Sequence, residues 1–120
     1  MAKWRTWTSD MKLKRPIIHR TTLGEMEGVG IPHAGIYVIA YLGEVLYVGK
    51  AELGVVERLR QHVYSTDSIG SWIRQMEFDW PNVRLDVLAL PDDSDRYWLM
   101  NAEAALIQRF SPLFNVQLLA

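Results

Sequence analysis

The chain has 120 residues, no cysteine and a formal net charge of −1 at pH 7. This length predicts a single domain with its own hydrophobic core, and the lack of cysteine excludes disulfide bonds and thiolate metal sites. The start of the chain has no apolar signal core, and no run approaches the roughly 18 apolar residues of a membrane span. We therefore expect a soluble, cytoplasmic protein that does not associate with a membrane.

Basic residues concentrate at the start of the chain. Residues 1–20 hold six Lys or Arg against a single Asp, whereas the remaining residues hold seven basic and thirteen acidic side chains. A glycine-rich stretch with Pro32 follows the basic segment, which is typical of a loop. These features predict a basic N-terminal arm and loop over residues 1–33 and a separate folded domain over residues 34–120. The arm has the charge expected of a local nucleic-acid contact.

After the loop, strand-like and helix-like patterns follow one another along the chain. β-Branched and aromatic residues on both sides of Leu42-Gly43 predict a hairpin, and apolar residues at helical spacing predict two helices, the second capped by Ser68. The predicted ranges are, in order, strands 35–41 and 44–49, helices 54–64 and 69–76, strand 83–90, a helix from Asp92 or Ser94 to Phe110, and an extended tail at 114–119. This order predicts an α+β fold with a small three-stranded, mostly antiparallel sheet flanked by helices.

An acidic residue interrupts the apolar face of the last predicted helix. On a helical wheel, Glu103 falls at the centre of the face that Leu99 and Phe110 define. An unpaired carboxylate in such a place is costly, so it needs a partner. The alternatives are a buried ion pair with an arginine, a position at the end of a cleft, and a metal ligand or an acid with a perturbed pKa.

The helix predicted over residues 54–64 carries two polar side chains on one face. Arg58 and His62 are four residues apart, so they lie together at the border of the apolar stripe. A half-buried guanidinium and an imidazole in that position suit an anion site, although each alone is also typical of a solvated rim. Arg60 lies on the opposite flank and serves as an internal control of the same residue type.

Two similar triplets begin and end the predicted hairpin. The first is Gly35-Ile36-Tyr37 and the second is Tyr47-Val48-Gly49, with Lys50 and Ala51 directly after it. Tyrosines are common in strands for packing reasons alone. The alternative is that the hairpin directs both phenols at one spot.

Taken together, these residues resemble the GIY-YIG nuclease family over about residues 34–116. The sequence after the second triplet is similar to that in the nuclease domain of the bacterial excision-repair incision subunit. The spacer between the triplets is one or two residues shorter than usual, which implies a tight hairpin. The other positions that carry the resemblance are the family's catalytic arginine, the His-or-Tyr one turn later, the metal-binding glutamate and the terminal structural asparagine, which are here Arg58, His62, Glu103 and Asn115.

The resemblance implies a metal-dependent endonuclease that hydrolyses DNA phosphodiester bonds with one Mg²⁺ or Mn²⁺ ion. A catalytically silent nucleic-acid-binding or regulatory module is the alternative, and a structure-specific or RNA-directed nuclease is a second one. DNA is the expected partner, and the sequence leaves room for a protein partner or a homodimer. The implied roles are catalysis for Tyr37, Tyr47, Arg58, His62 and Glu103, metal binding for Glu103, substrate binding for Lys50, Gly35 and Gly49, and structural support for Asn115.

Residue chemistry is compatible with these roles. A single carboxylate can hold a Mg²⁺ ion that keeps most of its waters, and Arg58 can fork onto phosphate oxygens. A phenol has an ordinary pKa near 10, so a tyrosine needs cationic neighbours to act as a base. His62 is expected to orient Tyr37 or to shuttle a proton.

Overall fold

The computed structural model describes residues 17–26, 34–52, 54–89 and 96–118. The elements in these ranges are β1 (Ile17–Thr22), β2 (Gly35–Tyr41), β3 (Glu44–Ala51), α1 (Val55–Tyr64), α2 (Ser68–Gln75), the 3₁₀-helix η1 (Glu77–Asn82), β4 (Arg84–Ala89), α3 (Arg96–Phe110) and the 3₁₀-helix η2 (Leu113–Leu118). The four strands form an antiparallel sheet of order β1-β4-β2-β3, with helices on both of its faces. Among the described residues, none of the helices could span a membrane.

The predicted α+β class is confirmed, but the predicted count of three strands is wrong. Strand β1 lies within the segment that we assigned to the arm, and it pairs with β4 from Ile17 opposite Ala89 to Thr22 opposite Arg84. An edge strand of this kind shows little apolar alternation, because only one neighbouring strand and part of one face cover it. Residues 1–16 and 27–33 of the predicted arm and loop lie outside the described residues.

Two separate apolar clusters cover the sheet. We call the face of the sheet that packs on α1 and α2 the α1–α2 face, and the face that packs on α3 the α3 face. The cluster on the α1–α2 face contains Leu23, Met26, Tyr37, Ile39, Ala51, Val55, Leu59, Ile69, Ile73, Val83, Leu85 and Val87. The cluster on the α3 face contains Ile36, Val38, Val48, Leu88, Leu99, Ala102, Leu106 and Ile107. Both faces of β2 and β4 are therefore buried, as expected for central strands.

Two local predictions differ from the structure. Helix α2 is capped by Asp67 instead of Ser68, because the Asp67 carboxylate accepts a hydrogen bond from the backbone N–H of Gly70 at 2.8 Å. The predicted extended tail is the 3₁₀-helix η2, in which the backbone N–H of Asn115 donates to the carbonyl of Pro112. The caps predicted for α3 lie outside the described residues.

Candidate active site

A cleft of about 500 Å³ lies along the outer edge of β3. Because β3 is the last strand of the sheet, side chains from α1 on one face and from α3 on the other can meet across its edge. The cleft is lined by Tyr47, Lys50, Ala51, Glu52, Gly54, Glu57, Arg58, Gln61 and Glu103. Four of the predicted site residues, Tyr47, Lys50, Arg58 and Glu103, thus share one cavity.

A β-bulge brings the two tyrosines of the triplets to the same face. At the two-residue turn, Leu42 and Gly43 have φ of 52° and 82°, and Tyr41 pairs with Glu44. Between Ile39 and Ala40 the register shifts, so that Ile39 pairs with Tyr47 and residue 46 is the extra one. Without the shift, Tyr47 would lie opposite Val38 and point to the α3 face.

With the bulge, the rings of Tyr37 and Tyr47 lie 6.1 Å apart between centroids, at an interplanar angle of 35°. Tyr47 lines the cleft, whereas Tyr37 is fully buried behind it. The spacer between the triplets is short, but the extra residue at the bulge shifts the register of β3 by one. Both phenols therefore lie on the α1–α2 face.

Gly49 makes room for the phenol of Tyr37. The two residues are direct partners across the β2–β3 pair. A Cβ atom at Gly49 would lie 2.3 Å from both Cζ and Oη of Tyr37, so no larger residue fits without displacing the ring. Gly35 opens β2, where it pairs with Ala51 on one side and with Ala89 on the other.

Tyr37 and His62 form a buried hydrogen-bonded pair. Tyr37 Oη and His62 Nε2 are 2.6 Å apart, and the His62 side chain is only 1% exposed. Burial raises the pKa of the Tyr37 phenol, while the charge of Arg58 opposes that rise. Burial and then the Arg58 charge lower the pKa of His62, so the imidazole is neutral near pH 7. Tyr47 also has a raised pKa, chiefly because it is partly buried.

Arg58 and Arg60 point to different surroundings although they are two residues apart. Arg58 lines the cleft and donates from Nη1 to Gln61 Oε1 at 3.0 Å, whereas Arg60 donates from Nη1 to Glu57 Oε1 at 2.8 Å and is not part of the lining. We predicted a half-buried guanidinium at Arg58, but the residue is exposed. The reason is that its side chain extends towards an open cleft, while His62, one turn later, faces the core.

Glu103 and Lys50 meet on the α3 side of the cleft. Glu103 is half-buried and accepts a hydrogen bond from the backbone N–H of Lys50. Burial raises the pKa of the Glu103 carboxyl, and the charges of Lys50 and Arg58 oppose the rise. Lys50 Nζ also lies 3.9 Å from Glu52 Oε1. Glu103 is thus a partly desolvated carboxylate at the wall of a cleft, which is one of the alternatives left open by the sequence.

Whether Glu103 can hold a divalent ion depends on how many protein ligands that ion needs. No group of three or more His, Cys, Asp or Glu side chains within the described ranges could hold a metal ion. Mg²⁺ does not need such a group, because it retains several waters and binds through one or two carboxylates together with substrate phosphates. Glu103 in an open cleft of about 500 Å³ fits an ion of that kind.

Asn115 closes the outer edge of β3 at Val48. Its Oδ1 accepts from the backbone N–H of Val48 at 2.8 Å, and its Nδ2 donates to the Val48 carbonyl at 3.0 Å. The side chain is fully buried. The amide therefore satisfies an edge residue as a neighbouring strand would, and it anchors η2 next to the strand that carries Tyr47 and Gly49.

Asp67 contacts the site although we did not select it from the sequence. One carboxylate oxygen, Oδ2, lies 3.7 Å from Nδ1 of His62. The pKa of Asp67 is lowered, because hydrogen bonds from Ser65 and Gly70 and the nearby basic groups outweigh its partial burial. The available sequence signal was an acidic residue just before a helix, which indicates only a cap.

Comparisons with known proteins identify the fold. Neither the models of protein families nor the sequences of curated proteins match this chain. The structure is similar to the GIY-YIG N-terminal endonuclease domain of UvrC from Thermotoga maritima. A tyrosine-to-phenylalanine mutant bound to its catalytic divalent cation has a TM-score of 0.58 and 19% identity, over 78% of this chain and 93% of that one. The magnesium-bound domain has a TM-score of 0.54 and 20% identity, over 72% and 88%. The chain therefore has a GIY-YIG-like fold, which confirms the resemblance at the level of the fold.

Proposed function

We propose that this chain is a GIY-YIG-type endonuclease that hydrolyses DNA phosphodiester bonds with one Mg²⁺ or Mn²⁺ ion. The observation that carries the proposal is that a carboxylate from α3, a guanidinium from α1 and a phenol from β3 line one cleft. The structural neighbours support it, since they are described as endonuclease domains bound to a catalytic divalent cation.

Arg58 and Lys50 are the groups that would receive the substrate. The guanidinium of Arg58 is exposed within the cleft and has five donors, which suits bidentate contacts to phosphate oxygens. Lys50 adds a second positive charge on the opposite wall. Glu52 and Glu57 line the same cleft and oppose anion binding, so the divalent cation is also needed to bring a phosphodiester close.

Glu103 is the residue that would hold the ion. A bound divalent cation supplies charge neutralisation for the phosphate and lowers the pKa of a bound water. The protein's part is to keep the carboxylate ionised and oriented, and the backbone N–H of Lys50 and the charges of Lys50 and Arg58 all favour the ionised form.

In this proposal, the two tyrosines orient the attacking water and take its proton. Tyr47 lines the cleft, and Tyr37 lies directly behind it. Because burial raises the pKa of both phenols, neither is a free phenolate near pH 7. A phenol here can accept a proton only while it passes its own proton on, and His62 Nε2 at 2.6 Å from Tyr37 is the available acceptor.

Nicking of supercoiled plasmid in the presence of Mg²⁺ or Mn²⁺ tests the proposal. We expect Glu103→Ala to lower the nicking rate by at least about 100-fold, whereas Glu44→Ala, an exposed acid outside the cleft, leaves it unchanged. Arg58→Ala and Arg60→Ala form a second matched pair, with loss expected only for Arg58. Full activity of Glu103→Ala would refute the metal-ligand role. DNA binding without cleavage by the parent would favour the silent module.

A further inference from the structure

The two carboxylate oxygens of Asp67 contact different groups. Oδ1 accepts hydrogen bonds from the Ser65 hydroxyl at 2.6 Å and from the backbone N–H of Gly70 at 2.8 Å. Oδ2 is left to face His62 Nδ1 at 3.7 Å. The cap interaction at the start of α2 therefore fixes the orientation of the carboxylate, and that orientation directs a negative charge at the imidazole.

The approach of α2 to α1 keeps this geometry close. A Cβ atom at Gly70 would lie 2.3 Å from the carbonyl oxygen of His62 and 2.4 Å from Ser65 Oγ, so only glycine fits. Arg74, further along α2, donates from Nη1 to the carbonyls of Val63 and Ser65 at 2.7 and 2.6 Å. The last turn of α1 and the first turn of α2 are thus tied together around His62 and Asp67.

The position of the Asp67 carboxylate distinguishes the two neutral forms of His62. Nδ1 is buried and has no hydrogen-bond partner in the part of the chain that the structure describes, while Nε2 contacts Tyr37 Oη. If the proton were on Nε2, the lone pair of Nδ1 would face a carboxylate, which is repulsive. If the proton is on Nδ1, it faces the carboxylate favourably and Nε2 accepts from Tyr37.

We propose that Asp67 is a positioning residue that holds His62 in the tautomer with its proton on Nδ1. The phenol of Tyr37 then donates to Nε2, and its oxygen is left to interact with the hydroxyl of Tyr47, which lines the cleft. The catalytic consequence rests on the proposed nuclease function, whereas the tautomer itself does not.

In the proposed nuclease reaction, the proton of the attacking water passes through the tyrosines to His62. The attacking water transfers a proton to Tyr47 Oη, Tyr47 passes its own proton to Tyr37, and Tyr37 passes its own to His62 Nε2 as the water oxygen bonds to phosphorus. The bond between phosphorus and the leaving oxygen of the nucleotide breaks, and that oxygen takes a proton from solvent. The imidazolium that results carries both protons and is stabilised by the charge of Asp67 until it releases one to solvent. No oxidant or further reactant is needed.

Imidazole ¹⁵N and ¹H correlations of ¹⁵N-histidine-labelled protein report the tautomer directly. The His62→Gln variant assigns the signal among the three histidines of the chain. We expect the parent to show protonation on Nδ1. In Asp67→Asn, the amide oxygen keeps the hydrogen bonds from Ser65 and Gly70, so the amide NH₂ faces Nδ1 and the proton should move to Nε2. Asn and Asp cap helices about equally well, so the Tm should stay within about 2 °C.

Plasmid nicking tests the consequence for catalysis. In the serine-protease triad, the same change of Asp to Asn gives the wrong histidine tautomer and lowers kcat by roughly 10⁴-fold. Here the carboxylate is farther from the ring and 42% exposed, so we expect a loss of about 10- to 100-fold in kcat with little change in KM. Asp79→Asn is the matched control, since Asp79 accepts hydrogen bonds from Tyr41 and Asn82 and does not line the cleft.

A double-mutant comparison shows whether Asp67 acts through His62. In a His62→Gln background, Asp67→Asn should cause no further loss of nicking. An equal loss in both backgrounds, or a parent protein with the proton on Nε2, would overturn the proposal. An Asp67→Asn variant that keeps the proton on Nδ1 would overturn it as well. If the parent cuts no DNA, the proposed function fails, and the tautomer measurement still decides the role of Asp67.

Discussion

The two faces of the sheet bury polar groups in opposite ways. On the α1–α2 face, Tyr37 and His62 are almost completely buried and are hydrogen-bonded to each other at 2.6 Å. On the α3 face, Asp86 is 1% exposed, and neither of its oxygens has a hydrogen-bond partner among the described residues. Arg84 Nη2 lies 3.7 Å from its Oδ1. Arg20 lies opposite Asp86 on β1.

Burial of a titratable group therefore does not by itself mark a functional site. Asp86 lies on a central strand of the sheet and does not line the cleft at β3, so we interpret it as a structural residue next to Arg84. Tyr37 and His62 lie behind a cleft residue, Tyr47, to which ring contacts connect both of them. What distinguishes the site is a connected set of buried groups that ends at an opening.

The largest effect is expected from adding one methyl group to the α1–α2 face. Gly49→Ala places Cβ against the Tyr37 ring, which is packed on all sides, so we expect a loss of about 3 kcal/mol in the free energy of unfolding. Nicking should fall with it, because the ring must leave His62. Urea unfolding measures the first effect.

Gly43→Ala is the matched control for this substitution. Its Cβ would meet nothing within 4 Å, and only the positive φ of 82° opposes it, at a cost of about 1 kcal/mol. If the two variants were equally stable, the phenol of Tyr37 would not lie across Gly49.

A smaller loss is expected at the edge of the sheet, where the two faces meet. Asn115→Ala leaves the backbone N–H and C=O of Val48 without their partners, which should cost about 2 kcal/mol in the free energy of unfolding. Asn101→Ala, at an exposed position on α3, should change it by less than about 0.5 kcal/mol. Equal unfolding curves for the two variants would show that η2 does not hold β3.

The buried imidazole of His62, on the α1–α2 face, should make the free energy of unfolding depend on pH. The pKa of His62 is lowered in the folded state, so below its ordinary value near 6.5 the unfolded chain binds more protons. Stability should therefore fall as the pH drops from 7 to 5, by at most about 1.4 kcal/mol per pH unit from this residue.

The His62→Gln variant isolates this contribution. Burial raises the pKa of Glu103, so proton uptake by that carboxyl in the folded state acts in the opposite direction as the pH falls. The informative quantity is the difference in slope between parent and variant in urea unfolding at several pH values. Identical slopes would mean that His62 is protonated in the folded protein.

The smallest effect, and one of opposite sign, is expected on the α3 face. Asp86→Leu replaces a buried carboxylate to which no described residue donates a hydrogen bond, while Arg84, whose side chain is half exposed, can turn to solvent. We expect the free energy of unfolding to stay the same or rise by about 1 kcal/mol, with nicking unchanged. A loss of 3 kcal/mol or more, on the order of a broken buried pair, would show that the charge organises the sheet.

Sequence patterns were sufficient to predict the features that depend only on residues close together in the chain. The spacing of apolar residues and the capping residues predicted the helices now called α1, α2 and α3. β-Branched and aromatic residues predicted β2 and β3, and alternation predicted β4. The misplaced Glu103 and the pair Arg58 and His62 were identified from helical periodicity alone. These inferences succeeded because each depends on residues within a few turns of the same element.

Contacts between distant elements establish which of these local elements lie next to each other. Only strand pairing shows that β1 joins the sheet, that a bulge at residue 46 turns Tyr47 to the side of Tyr37, and that Gly49 admits the phenol. Only helix packing brings Asp67 to His62. A strand's register and the separation of two helices depend on contacts between distant parts of the chain, so no local period in the sequence encodes them. The sequence alone therefore determined which chemical groups the protein has and on which elements they lie, while the pairing of the strands and the packing of the helices determined which of them face one cleft.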